Sequence, residues 1–453
     1  MLALEFKIEW EDSHGGVRDA VLARTWARLE IVVAGQVVTR LYDTRTQAVR
    51  EGVYGSVFPV AEWIVENWWS LTHESCRSLR YPGGRRLGGM SGLRWWVQRH
   101  SLLAAREGGS LPDLTFYRDE DFIVITWFPD RALPRSRPVQ FITDHGSARL
   151  TPEEVEGAFV RLIEAVIDRL GDREDEDTLR LKSNWAAIKA SASEEPRLCS
   201  WAASLGLDPY DPDELTEDLI QLFEAKLPAL DAPLERDLLD TTTPQSLSAD
   251  LGWVEDAMRA APGARADPSI HHQLLQRLGS PKSRTAHRLG YRHAQLVRRK
   301  LFGLDPSEPL LDLPGMIHHA LPTDGQLDAP ISAPNERIDG LVSCNVEGGP
   351  LVVGPLLDPN TSRFRLARAF HFWLYSRADR HPRLLTRACT WSQRAARAFA
   401  AELLAPSEAL RSLGSEGVVR PADVENMAER FAVSSLVVSY QVENHGIGRV
   451  EPG

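Results

Sequence analysis

At 453 residues the chain exceeds what one hydrophobic core usually organises, so two or three domains are expected. With 43% apolar and 25% charged residues it reads as a soluble globular protein. A formal charge of −11 argues against non-specific nucleic-acid binding by the whole molecule, so any such contact would have to be local.

No run approaches the roughly 18 apolar residues that a membrane helix needs. The opening MLALEFKIEWEDSHGG lacks a basic stretch followed by an apolar core, so no signal peptide is expected. Cys76, Cys199, Cys344 and Cys389 lie far apart and form no C-x-x-C pair, so neither a disulfide framework nor a zinc ribbon is indicated. A cytoplasmic protein without membrane contact is expected.

Residues 1–148 read as a mixed α/β domain of no recognised type. Leu2 to Trp10 alternates loosely, and Ala27 to Leu41 reads as two strands around the hairpin signal Ala34-Gly35. After Pro59, VAEWIVENWWSL has the composition of a buried helix. Trp63, Trp68 and Trp69, with Trp95 and Trp96 downstream, could form a stacking platform for bases. Core packing is the preferred reading, because apolar residues are interleaved with them at helical spacing. The glycine-rich Tyr81 to Gly89 matches no phosphate-binding pattern and reads as a loop. Leu114 to Tyr117 and Phe122 to Trp127 read as a hairpin with the charged tip Arg118 to Asp121.

Residues 149–262 read as a helical domain. Thr151-Pro152-Glu153-Glu154 supplies an N-cap, a first-turn proline and acidic residues against the dipole. The apolar positions Val155, Phe159, Leu162, Ile163, Val166 and Leu170 then recur at three and four. Gly171 to Asp177 reads as an exposed acidic linker. Asp208, Asp211, Asp213 and Glu214 lack the spacing of a calcium loop and read as a capped turn. Ala261 to Pro268 reads as an interdomain linker.

The third domain, 268–453, contains the most informative stretch, RFRLARAFHFWLYSRADRHPRLLTRACTWSQRAARAFAAELLAP from Arg363 to Pro406. Phe364, Leu366, Ala367 and Leu374 stand where the active helix of the ImmA/IrrE metallopeptidases wants them, and Ala396 to Pro406 is similar to that family's A-N-x-F-A-x-x-L-L-x-P. Ala294 to Leu321 resembles its opening helix, loop and second helix. Ile338 to Gly340 with Leu351 to Val353 resembles its strand pair, and Asp423 to Gly446 its closing helices.

The resemblance covers the last 160 to 180 residues and implies a zincin-like, mostly helical domain with a small sheet, so the whole chain reads as α+β. An H-E-x-x-H helix places two imidazoles on one face to grip zinc, with the glutamate as general base. In the register of the resemblance Arg368 replaces the first histidine, Ala369 the glutamate, Phe372 the second histidine and Gln393 the third, acidic ligand. No zinc or other cofactor is expected. His371 and His381 are the candidates for a rearranged metal site, with Cys389, His318 and His319 as further scattered donors. The plain reading of His371 is a helix histidine with a hydrogen-bond partner.

The same stretch is rich in arginine, and Arg380, Arg383, Arg387, Arg394 and Arg397 are the candidates for contacting a partner. The reading that results is an inactive pseudo-peptidase that binds a protein in a regulatory or sensing role. For that role the resemblance suggests bacterial stress response or defence against phage and mobile elements. The alternatives are an active metallopeptidase with displaced ligands that cleaves a regulator, and a component that binds nucleic acid through the arginine-rich region.

Overall fold

The protein is described from a computed structural model covering residues 3–13, 17–76, 91–106, 110–130, 138–279, 281–321, 325–332, 336–376 and 380–451. The expected loop at Tyr81 to Gly89 lies outside these. The fold is α+β and divides into two compact units, Met1–Phe223 and Glu224–Gly453. No described helix is long and apolar enough to cross a membrane.

In the first unit, β1 (Leu4–Trp10), α1 (Ala20–Arg24) and β2 (Trp26–Val33) are followed by β3 (Gln36–Val37), β4 (Leu41–Asp43), β5 (Ala48–Arg50) and β6 (Val53–Ser56). The hairpin between β2 and β3 turns on Ala34 and Gly35, both at positive φ, as the turn chemistry suggested. β1 and β6 flank β2 in the same antiparallel sheet, whereas β4 pairs β5 and a later strand.

The expected tryptophan helix is two, α2 (Phe58–Glu66) and α3 (Trp68–His73), separated at Asn67. Trp63, Trp68 and Trp69 are buried there, and so is Trp96 in α4 (Ser91–His100); Trp95 is exposed. The tryptophans of α2 and α3 are therefore core: Trp68 meets Phe159 edge-on and Trp185 at 5.3 Å.

β7 (Asp113–Asp119) and β8 (Phe122–Phe128) form the charged-tip hairpin, with β9 (Val139–Phe141) on β4 and β10 (Gly146–Leu150) on β8. α5 (Pro152–Leu170) opens with a full capping box between Thr151 and Glu154. α6 (Glu176–Glu194) and α7 (Pro196–Ser204) follow, and all three helices contribute to the first unit's core. The carboxylates of Asp208, Asp211 and Glu214 accept backbone N–H groups of their own turn, which makes it a capped turn.

The division between units runs through α8 (Glu217–Lys226), inside the stretch expected to be a separate helical domain. α9 (Ala232–Leu239) and α10 (Leu247–Ala260) belong to the second unit. The expected linker at 261–268 is not a free tether. Ala264 bridges to Cys344, and Ala266 is 7% exposed in the second unit's core, so this stretch is stitched into the fold it was expected to precede.

The second unit continues with α11 (Pro268–Leu278), α12 (Ala286–Leu296), a π-helical turn at Val297–Leu301 and α13 (Leu313–Ala320). β11 (Asp328–Pro330), β12 (Ile338–Cys344) and β13 (Pro350–Gly354) precede α14 (Pro359–Tyr375). β14 (Arg383–Thr386) and α15 (Trp391–Leu404) follow it. The chain closes with α16 (Ser407–Leu410), β15 (Val418–Val419), α17 (Pro421–Phe431), α18 (Ser435–Asn444) and β16 (Arg449–Val450). Sheet order is β11-β13-β12-β14, and α14 lies against it.

α12 and α15 run side by side in the same direction. Gly290 faces Ala395 and Ala398, Gln295 donates to Glu402, and Arg298 donates to the Leu403 carbonyl. A Cβ on Gly290 would stand 2.2 Å from the Ala395 carbonyl oxygen and 2.9 Å from the Ala398 Cβ. Gly290→Ala is therefore expected to lower stability by about 1–3 kcal/mol, because two helix backbones must part. Thermal unfolding of the variant checks this.

Candidate functional site

α14 is amphipathic only weakly, since its residues from Arg365 to Leu374 are all buried between the sheet and the neighbouring helices. Asp358 starts it by accepting from the Asn360 and Thr361 amides, and Pro359 fits the first turn. Burial on all faces forces its arginines to find partners inside the protein.

Arg368 is 4% exposed. Its Nη1 donates to Asp339 of β12, and its Nη2 donates to the Thr386 carbonyl at 2.7 Å and to Gln393 Oε1 at 2.9 Å. Gln393 Oε1 also accepts from the Thr386 amide, and its Nε2 donates to the Leu384 carbonyl at 2.6 Å. The residues at the first and third ligand positions of the resemblance are thus bonded to each other. Ala369 is fully buried among apolar side chains. Phe372, equally buried, lies under the Arg383 guanidinium, 5.1 Å from its ring centre.

The donor set does not suit a metal. A guanidinium is cationic and has no lone pair to give, a phenyl ring has none, and both polar atoms of Gln393 are spent on the backbone and on Arg368. Among the described residues no group of three or more His, Cys, Asp and Glu side chains could hold an ion.

The two candidate histidines have different partners. His371 faces α12, where its Nε2 lies 3.1 Å from His293 Nδ1, while Tyr375 stacks on His293. Burial, then the neighbouring His293, holds the His371 imidazole well below the ordinary histidine range; burial lowers His293 to about 4. Both are therefore neutral near pH 7. The half-exposed His381 sits 3.2 Å from Asp231, at the head of α9. His318 contacts the Gly325 carbonyl, and His319 is exposed.

The arginine-rich stretch is not one solvated face. Arg365 is 3% exposed; its Nη2 reaches both carboxylate oxygens of Asp328 at 3.0 Å, and its Nη1 donates to the Pro355 carbonyl at 2.7 Å. Arg383 is tied to Asp237 of α9 through two nitrogens, and Arg397 donates to the Thr386 and Ala388 carbonyls. Burial, then the Arg368 charge, lowers Arg397 to about 10. Arg380 and Arg387 are exposed, the latter 3.6 Å from Asp339, and Arg394 is half-buried on α15.

Asp237, Asp339 and His293 were not singled out in the sequence. The run Ala286, Gly290, His293, Ala294, Val297 at helical spacing marks the buried face of α12 and could have drawn attention to His293. Nothing in LERDLL distinguishes Asp237 from a surface acid.

Beside the first turns of α14 lies a cavity of about 380 Å³, with Leu327, Val352 and Leu366 in its apolar lining and Asp312, Asp328 and Arg365 as polar groups. The sheet edge there is poor for strand addition. β11 is three residues long and ends in Pro330, which has no N–H to offer. The chain matches no family model, and no curated protein matches it.

Proposed function

We propose that the second unit is a metallopeptidase-like scaffold without catalytic apparatus, which acts by binding a protein partner in a regulatory or sensing role. The observation that carries this reading is the Arg368–Gln393 bond inside the Asp339 and Thr386 network. It puts a fixed positive charge at the position of the first ligand in the resemblance, and the lone pairs around it, on Asp339, the Thr386 carbonyl and Gln393, accept from the guanidinium. With Ala369 in the general-base position, no carboxylate is available there to activate water. The cavity beside α14 retains a place where a partner's apolar side chain could seat. The setting suggested by the resemblance is bacterial stress response or defence against mobile elements.

Metal analysis tests the proposal. Purified protein exposed to zinc and dialysed is expected to retain far less than one ion per chain and to leave protein substrates intact. One tightly held zinc per chain, lost on His371→Ala or His381→Ala, would establish the displaced-ligand peptidase instead.

A further inference from the structure

The charged residues in the wall of the cavity beside α14 are Asp312, Asp328, Arg363 and Arg365. Two of them satisfy each other: Arg365 reaches both carboxylate oxygens of Asp328 and donates to the Pro355 carbonyl, so this pair brings no net charge to the cavity. The other two, Arg363 and Asp312, form no ion pair among the described residues, with each other or with any third group.

Of the Arg363 nitrogens only Nη2 has an acceptor among the described residues, the Phe431 carbonyl, and Nε is buried without one. A guanidinium carries five N–H donors, so most of that capacity is unspent. Burial lowers Arg363 from the ordinary arginine value, with no acid to oppose it. Asp312 accepts the Gly315 amide through Oδ1 at 2.9 Å and so caps α13, but no cation answers its charge. The cavity therefore holds one uncompensated base and one uncompensated acid.

The rest of the lining is largely apolar. Leu327, Val352 and Leu366 are buried in it, whereas Leu311, also in the lining, is 60% exposed. Leu357 is 37% exposed, and its carbonyl accepts from the hydroxyl of Ser362, another lining residue, at 3.3 Å. Exposed leucines grouped at the mouth of an apolar cavity, rather than scattered singly, mark a place that a ligand covers. The volume of about 380 Å³ lies near the lower end of the range for small-ligand pockets, about 300–1,000 Å³, and suits a molecule of one or two amino-acid units.

We infer that this cavity binds a zwitterionic apolar α-amino acid or dipeptide, with its carboxylate on Arg363, its ammonium on Asp312 and its side chain against Leu327, Val352 and Leu366. A molecule with opposite charges on an apolar body answers both single groups at once. An apolar acid would leave Asp312 unanswered, and an apolar amine would leave Arg363 so. The ligand takes the seat proposed above for a partner's apolar side chain and therefore competes with that partner. The inference does not rest on the absence of catalysis.

Calorimetric titration of the full chain tests it, with leucine and leucyl-leucine as zwitterions and octanoate and leucinamide as probes that carry one charge each. The expected result is saturable one-to-one binding of leucine or leucyl-leucine, at least about tenfold tighter than that of either singly charged probe. Tighter binding of the dipeptide assigns the cavity to short peptides, and tighter binding of leucine assigns it to free amino acids. Arg363→Gln is expected to weaken the zwitterion at least about tenfold. Because that change also touches the tie to Phe431, Asp312→Asn is the deciding variant: asparagine still caps α13, so the melting temperature should hold while zwitterion affinity falls and octanoate affinity does not. No saturable binding of either zwitterion, equal or tighter binding of octanoate or leucinamide, or unchanged zwitterion affinity in Asp312→Asn overturns the inference. None of these results bears on the metal analysis, so the two proposals fail separately.

Discussion

Arg368→Ala is expected to destabilise the second unit by about 3–5 kcal/mol, as for a buried ion pair that loses one partner. Removing the guanidinium leaves Asp339 without its 4%-exposed partner and strips donors from the Thr386 carbonyl and Gln393 Oε1, while α14, β12, β14 and α15 all lose a common tie. Arg387→Ala is the control: its 68%-exposed side chain reaches the same Asp339 at 3.6 Å, so its loss should be within about 1 kcal/mol. Hydrogen exchange of peptides from α14 and α15 reads the second unit alone. An Arg368→Ala protein as protected as its parent would mean that the guanidinium does not hold these elements together, and the argument for an inert, cross-braced site would fall with it.

That network also shows where sequence reading reaches and where it stops. α14 and α15 could be located from local signals, such as Asp358-Pro359 at one start and the apolar run ending at Pro406 at the other stop. Under the proposed resemblance, the residue at each position where that family carries a ligand could be named from the text of the chain. What these arginines do depends on contacts across long sequence separations: Arg368 with Asp339 and Arg383 with Asp237 join elements whose pairing no local pattern encodes. An arginine on a helix and an aspartate in a strand each read as surface residues until the fold brings them together and removes the water between them.

The linker at Ala261 to Pro268 illustrates the same limit. Its Pro, Gly and Ala composition correctly signals irregular backbone, but composition cannot tell a tether from a strap. These residues become a strap because Ala264 bridges to Cys344 and the turn at Gly348, at φ +82, lets the backbone approach Arg265 and Ala266 closely. The hairpin at Ala34-Gly35 and the capping box at Thr151 were readable because turn and cap chemistry is local.

Lowering the pH from 7 to 4 is expected to destabilise the second unit by several kcal/mol, chiefly through the His293–His371 pair. In the unfolded chain each imidazole takes up a proton near 6.5, but burial holds folded His293 unprotonated down to about 4 and His371 lower still. The unfolded state therefore binds more protons across that window, and stability rises with pH through it. The contribution is complete above 6.5 and is lost as pH falls towards 4. For His293 the interval from 6.5 to about 4 corresponds to about 3 kcal/mol.

Glu402 acts in the same direction but lower. Burial would raise it, and bonds from His445, Gln295 and Ser407 outweigh this and hold it below 4.5, so its contribution disappears only as pH falls past 4.5. His73, lowered to about 4 by burial and then by Arg118, gives the first unit an acid sensitivity of its own, so the measurement must separate the units. Hydrogen exchange in α12 and α14 between pH 7 and 4, normalised for intrinsic rates, does so. His371→Gln keeps a polar group beside His293 and cannot titrate, so its pH slope between 6.5 and 4.5 should be shallower than that of the parent. Equal slopes would show that the acid sensitivity of this unit lies elsewhere and that the imidazole pair is not held neutral by the fold.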